Sequence, residues 1–193
     1  MEGGNSYVER YLAWEKALAI RIYEIYKQKS KGRVLKVLTF LLVPGLWMLV
    51  AGIFLIAGIF FNNWYNAAVL WGVYLTALPV YELVKIIIKR PRPYDVHAEI
   101  TPHGKREKNY SFPSGHASFG AVIVTMLWLN FYPVAWLFVF VLVYAVFAGF
   151  TRLALGVHYL SDVIVGIVYG FSTAIIYFVY IKEPWLWLMN TIF

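Results

Sequence analysis

Long uncharged apolar runs alternate along this chain with short polar clusters, and the run lengths predict a bundle of membrane-crossing helices. No charge appears over the 25 residues from Val37 to Phe61, and roughly 20 helical residues suffice to span a hydrocarbon core. A first span is expected over 34–61, with Pro44-Gly45 as a place for a kink. Asn62-Asn63 then turns the chain into a second span over 64–88, uncharged until Glu82 and Lys85. The polar stretch 89–112 reads as the one long loop. The uncharged run from Ala117 to Thr151 exceeds one span, and Asn130-Phe131-Tyr132-Pro133 divides it into spans over 113–131 and 133–153. A fifth span is expected over 160–181.

Before these spans, residues 6–30 mix charge with an apolar stripe of Tyr7, Tyr11, Trp14, Leu18, Ile22 and Ile25, spaced three and four apart as on one helical face. Such a helix lies on a membrane surface, packs on the other helices, or does both. The N-terminus has no basic region followed by a short apolar stretch and a cleavage site, so no signal peptide is expected to be removed. With no repeat, linker or low-complexity tract, residues 1–193 are expected to form one domain. The fold class is therefore all-α: an integral membrane bundle of about five transmembrane helices plus an N-terminal amphipathic interfacial helix. Five crossings place that helix, the 89–112 loop and the 153–160 junction on one side of the membrane.

Composition agrees with a life in lipid: 61% of residues are hydrophobic, 14% are charged, and the net charge is +7. The Lys and Arg residues flank apolar runs and form no separate basic domain, which points to membrane lipids and away from nucleic acid. The absence of cysteine excludes disulfides, a thiol nucleophile and thiolate metal ligation. Of the 17 Lys and Arg residues, all but Lys182 fall on the shared face, which the positive-inside tendency would make cytoplasmic.

Three polar clusters meet on that face. In the first, Lys85, Lys89 and Arg92 stand four and seven residues apart, so a helix would point them the same way, toward one anion or toward lipid headgroups. The second, Ser111-Phe112-Pro113-Ser114-Gly115-His116-Ala117-Ser118, reads as a helix start. The free N–H groups of its first turn attract anions, and Gly115 allows close approach of the backbone. There His116 serves as a proton donor or as a structural hydrogen-bonding residue. The third runs from Thr151-Arg152 to His158 and Asp162. One turn separates His158 from Asp162, so the carboxylate can accept Nδ1–H and leave Nε2 as a nucleophile. The alternative is a structural ion pair between Arg152 and Asp162.

In their order and spacing, Lys85-x6-Arg92-Pro93, Pro113-Ser114-Gly115-His116 and Arg152-x5-His158-x3-Asp162 resemble the three signature motifs of the type 2 phosphatidic acid phosphatase family. The family commonly has Ser before the third-motif arginine, where this chain has Thr151. The resemblance implies that Lys85, Arg92, Arg152, Ser114, the Gly115 amide and the Thr151 hydroxyl hold phosphate. It implies that His158 attacks phosphorus, that Asp162 orients it, and that His116 protonates the leaving oxygen and then activates water. No metal, no other cofactor and no obligate protein partner are implied. Loop residues His97, His103, Lys105, Arg106 and Lys108 read as solvated charge or as a grip on a headgroup.

The small size, the leading interfacial helix and the basic loop are similar to bacterial lipid A 1-phosphatases. That resemblance implies a lipid phosphate substrate and a bacterial inner membrane, with the site at the periplasmic face despite the charge count. Phosphatidylglycerophosphate and undecaprenyl diphosphate are the alternative substrates, phosphotransfer the alternative reaction, and a channel or lipid-binding scaffold the non-enzymatic alternative. A two-metal phosphatase is disfavoured because the acidic residues are scattered.

Overall fold

Backbone hydrogen bonding within apolar segments dominates the structure, a computed structural model that describes residues 3–27, 34–35, 37–39, 44–61, 64–102, 106–131 and 135–192. Every regular element among these residues is helical. In chain order they are α1 (Gly3–Tyr26), α2 (Pro44–Phe61), α3 (Tyr65–Ile88), the short α4 (Pro93–Val96), α5 (Gly115–Phe131), α6 (Ala135–Ala154) and α7 (Leu160–Ile176). A π-helical turn, Tyr177–Ile181, then leads into α8 (Lys182–Ile192). The expected turn at Asn62-Asn63, the break at Tyr132-Pro133 and the loop residues His103 and Lys105 lie outside the described residues. Residues 40–43, just before Pro44, also lie outside the described residues, and with them the expected kink of the first span.

Two stretches, Tyr65–Val96 and Leu160–Thr191, are long and apolar enough to cross a membrane, and Trp47–Phe61 and Phe138–Ala154 are shorter apolar helices. The helical path runs on past the expected end at residue 181. Tyr177 is fully buried there, and the Trp185 indole donates to the Ala68 carbonyl (2.7 Å), tying α8 to the start of α3.

The arrangement of polarity is inverted relative to a water-soluble protein. Ile56, Ile59, Phe60, Leu83, Ile87, Phe140, Val143, Val168 and Val179 are exposed, while Lys85, Arg92, Ser114, Thr125, Arg152, His158 and Asp162 are buried. An apolar exterior around a charged interior is the pattern lipid imposes, because the bilayer rewards no polar exterior and ionisable groups must find partners inside. On α1 the stripe divides. Tyr7, Tyr11, Trp14 and Ile25 are exposed, whereas Glu15, Ala19 and Tyr23, four residues apart, form the packed edge. Ile22 of the stripe packs against the core beside this edge, while the Tyr-Trp part of the stripe faces outward.

The site is held in place mainly by the α5–α7 seam. Gly166 and Gly170 form a Gly-x3-Gly pair on α7. A side chain at Gly166 would meet the Ser114 carbonyl (2.9 Å) and Ser118 Oγ (3.1 Å), and one at Gly170 would run into the Ser118 carbonyl and Ala121. Small residues at this spacing let two helix backbones approach closely, where dispersion and weak hydrogen bonds substitute for an absent hydrophobic drive. Gly170→Val is expected to destabilise the fold by about 1–3 kcal/mol through overpacking, read as a lowered unfolding midpoint in detergent. An unchanged midpoint would contradict this packing.

Candidate active site

Chain geometry at the α6–α7 junction positions the histidine. Helix α6 ends through hydrogen bonds from Gly156 N to the Leu153 carbonyl (2.9 Å) and from Val157 N to the Arg152 carbonyl (3.1 Å). Gly156 takes φ +70°, and a Cβ there would strike Ile100 Cγ2 (2.5 Å), so the turn requires glycine twice over. Two residues later His158 is 2% exposed, with Nδ1 3.4 Å from Asp162 Oδ2. Asp162, the third residue of α7, reaches back to accept the Tyr159 N–H (2.9 Å), the carboxylate half of a capping box. The same oxygen accepts from Ser111 Oγ. Thus the local rule that starts α7 also fixes the acceptor facing Nδ1, leaving Nε2 turned the other way.

On that side stand the guanidinium groups. Arg92 Nη1 lies 3.3 Å from His158 Nε2 and donates to the Val157 carbonyl (3.1 Å). The rest of Arg92 is gripped by the 107–110 loop: Nε donates to the Asn109 carbonyl (2.9 Å), and Nη2 to Asn109 Oδ1 (2.6 Å) and Glu107 Oε2 (2.6 Å). The other oxygen of Glu107 accepts from Arg152 Nη2. One carboxylate therefore spans two buried arginines. Arg152 pairs with Glu107 and Asp162 with Arg90, so the Arg152–Asp162 ion pair weighed from the sequence is not the pairing observed.

The N-terminus of α5 forms a further wall. Ser114 N donates to the Asp162 carbonyl (2.9 Å), joining the second motif to the third. His116 is within electrostatic reach of Arg152, His158, Glu107 and Arg92. Among the described residues Ser114 Oγ, His116 Nε2 and Arg152 Nε are buried with no hydrogen-bond partner, a costly condition for groups that do not bind something. Lys85 is buried and donates to Tyr81 Oη (2.5 Å), and that oxygen abuts Gly115, 2.7 Å from where a Cβ would sit. Thr151, expected to contact phosphate, gives its hydroxyl proton to the Ala148 carbonyl (2.8 Å), an intrahelical bond open to any buried hydroxyl. Lys89 is exposed at the left-handed end of α3 and does not converge with Lys85 and Arg92.

Two further charged groups escaped the sequence reading. Arg90 forks between Asp162 Oδ1 and Glu15 Oε2 (2.6 Å each), stacks over the Tyr159 ring (4.0 Å), and holds Ser161 Oγ (2.6 Å). Glu15 also accepts the Ser161 N–H (2.8 Å), so α1 is fastened to the start of α7 behind the His–Asp pair. The two carboxylates, Asp162 and Glu15, compensate the charge of this partly buried guanidinium. Glu15 is one of six charged residues on α1, with Glu9, Arg10, Lys16, Arg21 and Glu24, so charge in the sequence did not single it out. His97 bonds with Tyr159 Oη (3.0 Å) in the scaffold, while Arg106 and Lys108 are exposed.

Electrostatics favour a neutral His158. Burial is the largest influence and lowers its pKa; the Asp162 hydrogen bond opposes this, Arg152 and Arg92 add to it, and the result is about 4. With the unprotonated ring as the expected nucleophile, activity should hold as pH falls below the ordinary histidine value of 6.5 and decline only toward 4. The acidic limb of kcat/KM, corrected for the substrate's own ionisation, checks this. A limb at or above 6.5 would contradict the assigned environment.

Fold and site together define a helical bundle with two buried arginines set before a histidine paired with a carboxylate. The chain belongs to the PAP2 superfamily, whose pattern matches residues 54–185, as the three motifs implied. It is 36% identical over 80 residues to a lipid A 4'-phosphatase of Bacteroides thetaiotaomicron, covering 40% of this chain and 34% of that protein. It is also 36% identical over 121 residues to a lipid A 1-phosphatase of Rhizobium etli, covering 55% and 50%. The alignments thus span between a third and half the length of these curated relatives. Among solved structures, a transmembrane PAP2-type phosphatidylglycerolphosphate phosphatase from Bacillus subtilis superposes with TM-score 0.71 at 25% identity, over 86% of this chain and 84% of that one. Aquifex aeolicus LpxE superposes with TM-score 0.65 at 19% identity, over 82% and 93%, a likeness of fold.

Proposed function

We propose that the protein is an integral membrane phosphatase that removes a terminal phosphate from a lipid through a phosphohistidine on His158. The observation that carries this reading is the direction of His158 Nε2, which faces Arg92 at 3.3 Å while Nδ1 faces Asp162. Arg92, Arg152, Lys85, Ser114 and the Gly115 amide hold the phosphate oxygens. Nε2 donates its lone pair to phosphorus as the bond to the lipid oxygen breaks, and His116 gives that oxygen a proton. The same His116 then takes a proton from water, whose oxygen attacks phosphorus and releases inorganic phosphate and free His158. The reaction needs no metal in this scheme. Fixed guanidinium groups and amides stabilise the charge that develops on the equatorial oxygens.

In the same reading residues 1–193 form one domain with five transmembrane crossings, and α1 lies at the interface on its exposed Tyr-Trp stripe. The site opens at headgroup level, so a lipid's chains stay in the bilayer while its phosphate enters. We place it on the periplasmic side of a bacterial inner membrane. Lys85, Arg90, Arg92 and Arg152 are engaged inside the protein, so they cannot be counted as free topological charge under the positive-inside tendency. Lipid A 1-phosphate is the first substrate to test. Phosphatidylglycerophosphate is the second, on the strength of the 0.71 superposition.

The test is phosphate release from purified lipid A, phosphatidylglycerophosphate and undecaprenyl diphosphate in detergent containing a chelator, with and without vanadate. Release that survives the chelator and stops with vanadate supports the reading. Transfer of label to a second lipid instead of water would convert it to a phosphotransferase, and no turnover of any substrate would leave the scaffold reading.

A further inference from the structure

The anion lying between the two phosphate-binding arginines belongs to the protein. Glu107 sends one carboxylate oxygen to Arg92 Nη2 (2.6 Å) and the other to Arg152 Nη2, the separation of roles two terminal phosphate oxygens would take. Its side chain is 37% exposed, whereas those of Arg92 and Arg152 are 1% and 6% exposed. The carboxylate thus has a path to solvent and the guanidiniums do not. Its backbone is pinned on both sides: Glu107 N donates to Tyr94 Oη (3.0 Å), and that hydroxyl lies 3.2 Å from the Glu107 carbonyl. Tyr94 itself is buried. Rotation about the side-chain torsions is therefore enough to withdraw the carboxylate, without lifting the loop that holds Arg92 through Asn109.

Resting on the assignment of Arg92 and Arg152 as the phosphate cradle, we propose that Glu107 is a displaceable internal counter-anion that weakens the hold of the site on free phosphate and so promotes product release. Any phosphate entering the cradle must break both Glu107 pairings. A lipid substrate meets that cost with the contacts of its chains and headgroup; inorganic phosphate has none to offer. As the phosphohistidine is hydrolysed, the returning carboxylate takes back both guanidiniums and the product leaves. The exchange keeps two buried positive charges compensated at every stage, the condition under which such charges are tolerated. Glu107 is held ionised throughout: burial pushes its pKa up, but Arg152 and Arg92 overcome this and bring it down to about 2. The pairing is accordingly present from neutral pH to well below 4.5 and lost only as pH falls toward 2.

Binding of inorganic phosphate by calorimetry, and its inhibition of lipid turnover, test this on wild type and Glu107→Gln in detergent. The isosteric amide keeps the shape and loses the charge, so phosphate should bind about tenfold tighter or more, the worth of roughly one charge-assisted hydrogen bond. The inhibition constant should fall in parallel, with kcat lower because product leaves slowly. Loss of a merely structural residue would weaken binding and could not tighten it. Glu107→Asp, a methylene too short to span both arginines, should give an intermediate gain and serves if the Gln variant does not fold. Equal or weaker phosphate binding in a folded variant overturns the role of Glu107 alone. Failure of wild type and both variants to bind phosphate overturns the cradle assignment and this inference with it.

Discussion

On the proposed mechanism His158→Ala should leave no measurable phosphate release, a loss on the order of 10⁴-fold or more, because the covalent path would disappear and water would have to attack unaided. The expectation is specific to the nucleophile. Brief incubation of wild type with a substrate labelled in the phosphate should leave acid-labile label on the protein, and the Ala variant should carry none. Vacating the imidazole leaves Asp162 with Arg90, Ser111 and the Tyr159 amide as partners, so the variant should fold and its inactivity should be chemical. Label retained on the Ala variant, or turnover within tenfold of wild type, would place the nucleophile elsewhere.

His116→Ala should slow lipid turnover by about 10²- to 10⁴-fold, the usual worth of a positioned general acid. Its signature is dependence on the leaving group. A lipid alkoxide needs a proton to depart, whereas a nitrophenolate does not, so the first step should be nearly intact with a nitrophenyl phosphate. If His116 also activates the water of the second step, as proposed, phosphoenzyme should then accumulate and appear as a burst of nitrophenolate. The same loss with both leaving groups and no burst would reduce His116 to a structural role, the alternative its place in the first turn of α5 left open. Its unpartnered buried Nε2 is the reason to expect the chemical one.

Much of the scaffold was legible from the order of apolar runs, since a helix of given length and polarity is a local property of backbone hydrogen bonding and burial. The observed α3, α5 and α7 begin within a few residues of the polar clusters that announced them. Legibility failed where two readings share one local pattern. The stripe on α1 suited a membrane surface, a helix contact or both; Ile22 packs on the core while Tyr7, Tyr11 and Trp14 are exposed, and Glu15, Ala19 and Tyr23 carry the most buried edge. The Gly166–Gly170 pair was passed over because glycine inside an apolar run carries no periodic signal; its importance depends on Ser118 and Ala121 across the seam.

Within the site, the sequence placed His158 and Asp162 at the start of one helix, and the first turn draws the Asp162 carboxylate back to its cap; that His158, just ahead of the helix, meets the same oxygen depends on the chain path through the Gly156 turn. Spacing also set the motif groups at the ends of their helices. Only the tertiary structure decided which carboxylate meets which guanidinium: Glu107 with Arg92 and Arg152, Glu15 and Asp162 with Arg90. These pairs join residues separated by 15 to 75 positions along the chain, and a Coulombic attraction has no sequence period by which it could be read. The path of the 107–110 loop and the packing of α1 chose among several equally charged candidates, and that choice depends on the assembled bundle.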